Sequence, residues 1–258
     1  MLKRELKINF KPFSIFTILM TSIYLISFLI YPSISNANMD LDALIESLPK
    51  EISKSFNMDS ISISTISGWI KTEGYMIITL FGSIFFGILG GNILLKEEND
   101  GTIYFLATKP IKRSKIVVSK IVCGIIYILI FNLLLSIFIL AGLKISNDLI
   151  MKDIIKIAVA SALLHLFIFI LSIAISTFFK KTRNSTSTCI GTILIFYIIT
   201  ILANLNENIN FLKYLTPFSY VDISISSQST IINLFILSIA TFIPLIITFI
   251  QYSKKELV

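Results

Sequence analysis

The sequence predicts an all-α protein that crosses a membrane six times. Of its 258 residues, 55% are apolar and only 14% are charged, and the mean hydropathy is +0.88. Soluble domains carry about 25% charged residues, so this chain has too little polar surface to face water on all sides. Its apolar residues form continuous runs rather than the alternating pattern of barrel strands. Because lipid offers no hydrogen bonds to the backbone, each run is expected to be a helix.

Six uncharged runs are close to the roughly 20 residues that a membrane-spanning helix needs. The first is followed by Ser35, Asn36 and Ala37, which imitate the cleavage site of a signal peptide. Its apolar part, however, is longer than the roughly 7 to 15 residues of a signal sequence, so we retain it as a span. The predicted spans are residues 13–31, 75–95, 121–143, 157–179, 187–203 and 231–252.

The distribution of charge orients the spans. With an even number of spans both termini lie on the same side, and 15 of the 22 lysine and arginine residues fall on that side. Basic residues are retained preferentially in cytoplasmic connections. Both termini are therefore predicted to be cytoplasmic, and the net charge of +7 is explained by orientation rather than by nucleic-acid binding.

Two segments outside the spans are amphipathic. Residues 1–11 place Leu2, Leu6 and Phe10 opposite basic side chains, which predicts a helix in the cytoplasmic membrane interface; a frayed basic tail is the alternative. Residues 32–72 form a long extracellular connection with an amphipathic stretch from Asp40 that Pro49 should kink. We expect a helical cap on the membrane surface there, or a loosely docked loop.

The sequence lacks the residue patterns that are typical of ion-coupled carriers, of HExxH metalloproteases and of ATP-binding proteins. The six runs contain no Asp, Glu, Lys or Arg, which ion-coupled carriers place in their spans. Their single ionisable residue, His165, is predicted to be hydrogen-bonded to a neighbouring helix rather than to relay protons. Neither an HExxH sequence nor a GxxxxGK[ST] phosphate loop occurs, so the chain by itself is not expected to bind ATP in the usual way. Ser83, Gly87 and Gly91 form a small-residue row that would allow a second helix to approach closely.

The segment between the second and third predicted spans, residues 96–120, carries the functional interpretation. Asn99 or Asp100 can cap a short helix that Pro110 ends, giving about two turns. This helix would be apolar on nearly every face, and its apolar residues are Ile103, Tyr104, Phe105 and Leu106. Such a helix on a charged loop must bury some faces against another protein, unless it is a re-entrant turn packed into its own bundle.

These residues resemble a signature that follows the second span of ABC-2 type permeases, the membrane subunits of bacterial ATP-binding-cassette exporters. The matching positions are Glu98, Gly101, Thr102, Leu106, Pro110, Arg113 and Lys120. The resemblance implies a coupling helix that docks on a separate ATPase. Glu98 would pair with the basic loop or with a cation on the ATPase, while Arg113 and Lys120 would hold the base of the third span at the headgroups or brace Glu98.

Other parts of the chain are similar to the same family. Residues 1–11 are similar to its elbow helix. Pro217 and Phe218, between the last two spans, are similar to its extracellular element near the exit gate. The family resemblance also implies the type V fold of the G-subfamily and a location in the bacterial cytoplasmic membrane.

The function that the resemblance implies is export driven by a partner. The chain would be a non-catalytic half-transporter that pairs with a second copy, while two ATPase subunits bind ATP and Mg²⁺. Uncharged spans favour a hydrophobic or amphipathic cargo, for which we expect peptides, either toxins or antimicrobial peptides, exported or removed for self-protection. The alternatives are a secondary carrier or channel without an ATPase, and a membrane-anchored immunity protein that binds a peptide without moving it.

Overall fold

The computed structural model confirms a helical protein with six helices that are long and apolar enough to cross a membrane. It describes residues 1–36, 65–102, 112–145, 151–205, 207–224 and 227–255, and no strand occurs among them. The α-helices are α1 (Leu2–Asn36), α2 (Ile66–Ile93, with a π-helical turn at Ile70–Gly74), α3 (Lys96–Asn99), α4 (Arg113–Ile145), α5 (Met151–Ser176), α6 (Thr182–Leu205), α7 (Ser227–Ala240) and α8 (Phe242–Lys254). Two 3-10 helices, Glu207–Leu215 and Pro217–Val221, connect α6 to α7.

The helix α2 begins earlier than the apolar run that predicted it. Its first turn is capped by Thr65, whose hydroxyl accepts a hydrogen bond of 3.0 Å from the Gly68 N–H. Residues 65–72, which we assigned to the extracellular connection 32–72, are therefore largely helical. The uncharged-run criterion excluded residues 66–74 because Glu73 and Lys71 interrupt the apolar run. The side chain of Lys71 forms an ion pair with Asp153 at the start of α5. A paired charge at the end of a helix is compatible with the membrane boundary.

The helix α1 runs through the boundary that we predicted between residues 1–11 and the first span. Pro12 does not end it, although proline removes one backbone hydrogen bond. The side chain of Pro12 is exposed. The amphipathic stretch from Asp40 to Phe56 lies outside the described residues.

The last span consists of two helices. α7 ends at Ala240 and α8 begins at Phe242, with Thr241 between them. Pro244 has no N–H to donate to the carbonyl of Ala240, four residues earlier, and its ring crowds that carbonyl. The break therefore lies where the proline prevents the helical hydrogen bond.

The helix α5 is the centre of the bundle. It contacts α2, α4, α6, α7 and α8, whereas α1 packs mainly on α4. Its closest neighbour is α2, since a Cβ atom on Gly90 would lie 2.5 Å from the carbonyl oxygen of Phe169. Another face of α2, which carries the predicted row, packs on α6: Gly87 lies against Ile193 and Gly91 lies against Cys189. Small residues thus allow α2 to approach the backbone of α5 on one face and to receive side chains of α6 on the other.

His165 is fully buried among α2, α4 and α5. Its Nε2 lies 3.2 Å from the carbonyl oxygen of Ile78, and its Nδ1 lies 3.2 Å from the side-chain nitrogen of Asn132. The oxygen of that amide accepts a 2.7 Å hydrogen bond from Ser161. The prediction that the ring is hydrogen-bonded to neighbouring helices is confirmed, and the arrangement fits a neutral ring that donates from Nε2.

Candidate functional site

The end of α2 and the start of α4 flank the predicted coupling segment. After α2 the chain forms the single turn α3 and then reaches Gly101, which has a φ of +67°. The N–H of Gly101 donates to the carbonyl of Glu98 at 3.3 Å, which is part of a glycine C-cap. Glycine adopts this left-handed conformation without strain, so the residue that the signature places here is the one that the turn requires.

Lys120 is the most deeply buried charge at this end of the bundle, with 0% of its surface exposed. Its Nζ lies 2.6 Å from Glu97 Oε2, 3.5 Å from Glu5 Oε1 and 2.5 Å from the carbonyl oxygen of Ile93. One lysine on α4 therefore joins α1, α2 and α3. Because an ammonium group out of water is costly unless it is paired, the two carboxylates and the carbonyl are what make this position possible.

Glu98 contacts the end of the chain. Its Oε2 lies 2.9 Å from Lys255 Nζ, and the same ammonium donates to the carbonyl oxygen of Phe179 at 2.9 Å. The other carboxylate oxygen of Glu98, Oε1, is buried and has no hydrogen-bond partner in the part of the chain that the structure describes. Among the described residues, Glu98 thus retains one unused acceptor.

Arg113, at the start of α4, caps the C-terminal end of α8. Its Nη1 donates to the carbonyl oxygens of Ser253 at 2.9 Å and Lys255 at 2.7 Å. Carbonyls at a helix C-terminus lack intrahelical partners, and a cation there also opposes the negative end of the helix dipole. We call the six residues that connect these elements the base cluster: Glu5, Glu97, Glu98, Arg113, Lys120 and Lys255.

We expect Arg113→Ala to loosen the end of α8 without unfolding the bundle, because its hydrogen bonds lie at an exposed surface. Amide hydrogen exchange of residues 250–255 should accelerate several-fold, since each lost bond contributes only about 0.5–1.5 kcal/mol. The exposed neighbour Lys112 supplies the control. Equal exchange rates in Arg113→Ala and Lys112→Ala would contradict the capping role.

The sequence anticipated only part of the base cluster. It singled out Glu98, Arg113 and Lys120, but neither Glu5, Glu97 nor Lys255. Two signals were present: Glu5 is the one acid in a basic N-terminal segment, and Glu97 is adjacent to Glu98. Thr102 is exposed at the start of the segment. The remaining predicted coupling residues, Ile103, Tyr104, Phe105 and Leu106, lie outside the described residues.

Pro217 and Phe218, the predicted extracellular element, are buried at the opposite end of the bundle. Thr216 caps their short helix by accepting from the Phe218 N–H at 3.2 Å, and its hydroxyl lies 2.7 Å from that of Thr200 on α6. The ring of Phe218 meets Tyr197 of α6 edge-on at 5.5 Å. The element is therefore attached firmly to α6.

A family model described as "ABC-2 family transporter protein" matches residues 8–257. The chain belongs to this family. None of the curated proteins searched matches it. As an ABC-2 family permease it is a multi-pass membrane component of an ABC transporter, a family whose members work with ABC ATPase subunits. Four residues of the base cluster, Glu97, Glu98, Arg113 and Lys120, belong to residues 96–120, the segment that the resemblance assigns to contact with the ATPase.

Proposed function

We propose that this permease is the half-transporter of an ATP-driven exporter of amphipathic peptides in a bacterial cytoplasmic membrane, and that its coupling segment docks on a separate ATPase that binds ATP and Mg²⁺. The observation that carries the proposal is the base cluster. It attaches the chain on both sides of residues 103–111 to α1 and to the end of α8 through buried or half-buried ion pairs, and to α2 through the hydrogen bond from Lys120 to the carbonyl oxygen of Ile93. A push on the segment would therefore reach several spans together rather than bend a free loop.

The unpaired oxygen of Glu98 supports docking at this position. A buried carboxylate oxygen without a hydrogen bond is costly, and a cation on the ATPase would satisfy it. The base is also the end where the positive-inside rule places the cytoplasm.

A second copy of the chain is supported by α6. Only 17% of the most apolar stretch of α6 is buried within the chain. Thr188 lies on this largely exposed helix. A Cβ atom on the half-exposed Gly191 would meet nothing within 4 Å. Polar and small residues of membrane helices tend to face other helices or a pathway rather than lipid. We therefore propose that α6 faces the second permease or the transport pathway between the two copies.

The test replaces Tyr104, Phe105 and Leu106 together with alanine. Apolar anchors of an interface contribute most of its binding energy, so we expect at least a tenfold loss of two signals. The first signal is co-purification, with the tagged permease, of an ATPase that contains a GxxxxGK[ST] sequence. The second is ATP-dependent uptake of a fluorescein-labelled amphipathic Leu/Lys peptide into inverted membrane vesicles.

The matched control is Phe178→Ala, because Phe178 follows α5 near the base and is 64% exposed. It should leave both signals unchanged. Uptake that continues in the triple variant, or that needs no ATP, would overturn the proposal in favour of a carrier or channel. Binding of the peptide without uptake, with or without ATP, would favour an immunity protein.

A further inference from the structure

A cleft of about 290 Å³ opens at the end of the bundle opposite the base cluster. It lies among the start of α2, the end of α6, the two 3-10 helices and the start of α7, and Phe218 contributes to its wall. Its volume is near the lower end of the range of small-ligand sites.

The charged groups of the cleft are mostly occupied within the chain. Lys71 is paired with Asp153, and Asp222 Oδ1 accepts from the backbone N–H and the hydroxyl of Ser224, at 2.8 and 2.6 Å. Lys213 lies over the ring of Tyr214, 5.4 Å from its centroid. The cleft therefore does not present the cluster of free like charges that an ion or a phosphate would require.

Three neutral polar side chains of the cleft have no hydrogen-bond partner among the described residues. Asn204 at the end of α6 and Asn233 in α7 are partly buried in the cleft wall, and their side-chain amides make no hydrogen bond to another described residue. The hydroxyl oxygen of Ser219 is buried and also lacks a partner among the described residues. Buried or half-buried polar groups without partners cost free energy, and a ligand that supplied the partners would recover it.

We propose that this cleft binds the backbone of a peptide at the predicted extracellular end of the permease. An asparagine amide carries one acceptor and two donors, which match the N–H and C=O groups of a peptide unit. A saccharide would instead need an open aromatic face. Here the ring of Tyr197 packs against Phe218, and the hydroxyl of Tyr75 donates to the carbonyl oxygen of Val221 at 2.7 Å. The inference rests on the proposed function, because it assigns part of the peptide's route to this cleft.

The experiment measures photolabelling of the purified full-length chain in lipid nanodiscs, without ATPase or ATP. The probe is N-acetyl-Ala-photoleucine-Ala-amide, whose diazirine side chain labels nearby residues under ultraviolet light. Labelled sites are mapped by mass spectrometry to the segments that line the cleft. The same tripeptide with ordinary leucine should displace the probe, and maltotriose should not.

The double variant Asn204→Leu and Asn233→Leu should lower cleft labelling about tenfold, since two hydrogen bonds to the probe are lost. Asn184→Leu is the control, because Asn184 is exposed near the other end of α6, outside the cleft. It should label as the unaltered chain does. Equal labelling of the double variant, labelling elsewhere, or displacement by maltotriose would overturn the proposal.

A second variant separates a lost site from a misfolded chain. Asn233→Cys is purified and is then alkylated with N-ethylmaleimide, while Cys123 and Cys189 are buried. The cysteine alone removes one of the two amides, so labelling should fall partly, and alkylation should then abolish it because the added group fills the cleft. Labelling that persists after complete alkylation would contradict the assignment. If ATP-dependent peptide uptake is observed while the cleft remains unlabelled, the cleft proposal fails and the proposed function stands. If the cleft is labelled but uptake needs no ATP, the proposed function fails instead.

Discussion

Replacing Lys120 with methionine is expected to destabilise the permease by about 3–5 kcal/mol, the cost of removing one partner of a buried ion pair. Methionine keeps most of the side-chain volume but leaves the carboxylates of Glu97 and Glu5 without their cation. Two buried carboxylates would then lie close together without the positive charge that offsets their repulsion. We expect low yields of folded protein and a clearly lower Tm in detergent, measured by reaction of a fluorogenic maleimide with the buried Cys123 and Cys189.

The control for this change is Lys115→Met, because Lys115 is an exposed lysine on the same helix. It should leave the Tm nearly unchanged. Combining Lys120→Met with Glu97→Leu should recover part of the loss, since an apolar pair can replace a buried ion pair. A Tm of Lys120→Met equal to that of Lys115→Met would show that this part of the base cluster does not stabilise the fold. No recovery in the double variant would contradict the assignment of the loss to the unpaired Glu97.

Gly90→Ala is expected to have the second largest effect. The new Cβ would lie 2.5 Å from the carbonyl oxygen of Phe169 and 2.9 Å from the Cβ of Ser172. Neither atom belongs to the flexible end of a side chain, so α2 and α5 must separate. Overpacking of this kind costs about 1–3 kcal/mol.

Gly191→Ala is the matched control, since a Cβ on this glycine of α6 would meet no atom within 4 Å of the same chain. It should leave the Tm unchanged or raise it slightly, because alanine favours the helix. The measurement is the Tm of each variant in the maleimide assay. Similar shifts for Gly90→Ala and Gly191→Ala would contradict the close contact between α2 and α5.

The sequence predicted the six spans because hydropathy depends on local composition, and a bilayer requires helices wherever the chain is apolar. It placed their ends less well. The uncharged-run criterion stopped at Glu73 and Lys71, whereas the structure continues the helix to Ile66, and Asp153 on another helix neutralises that lysine. Pairing between distant residues cannot be read from a local window.

The same reason explains what was missed at the site. Glu98, Arg113 and Lys120 were found through the spacing of a signature, which is a local pattern. Their partners Glu5 and Lys255 come from the two ends of the chain, and only the fold brings them together. The two asparagine amides of the cleft were missed in the same way, because Asn204 and Asn233 belong to different helices and match no motif.

The uninterrupted length of α1 has a mechanical consequence. Its 35 residues make a rod of about 52 Å, with Glu5 held near one tip and Tyr24 bonded to the backbone of Gly74 further along. If the helix tilts about its anchored end near Glu5, a rotation of about 5° displaces its opposite end by about 4.5 Å. A small rotation imposed at one face of the bilayer would therefore produce a larger displacement at the other face.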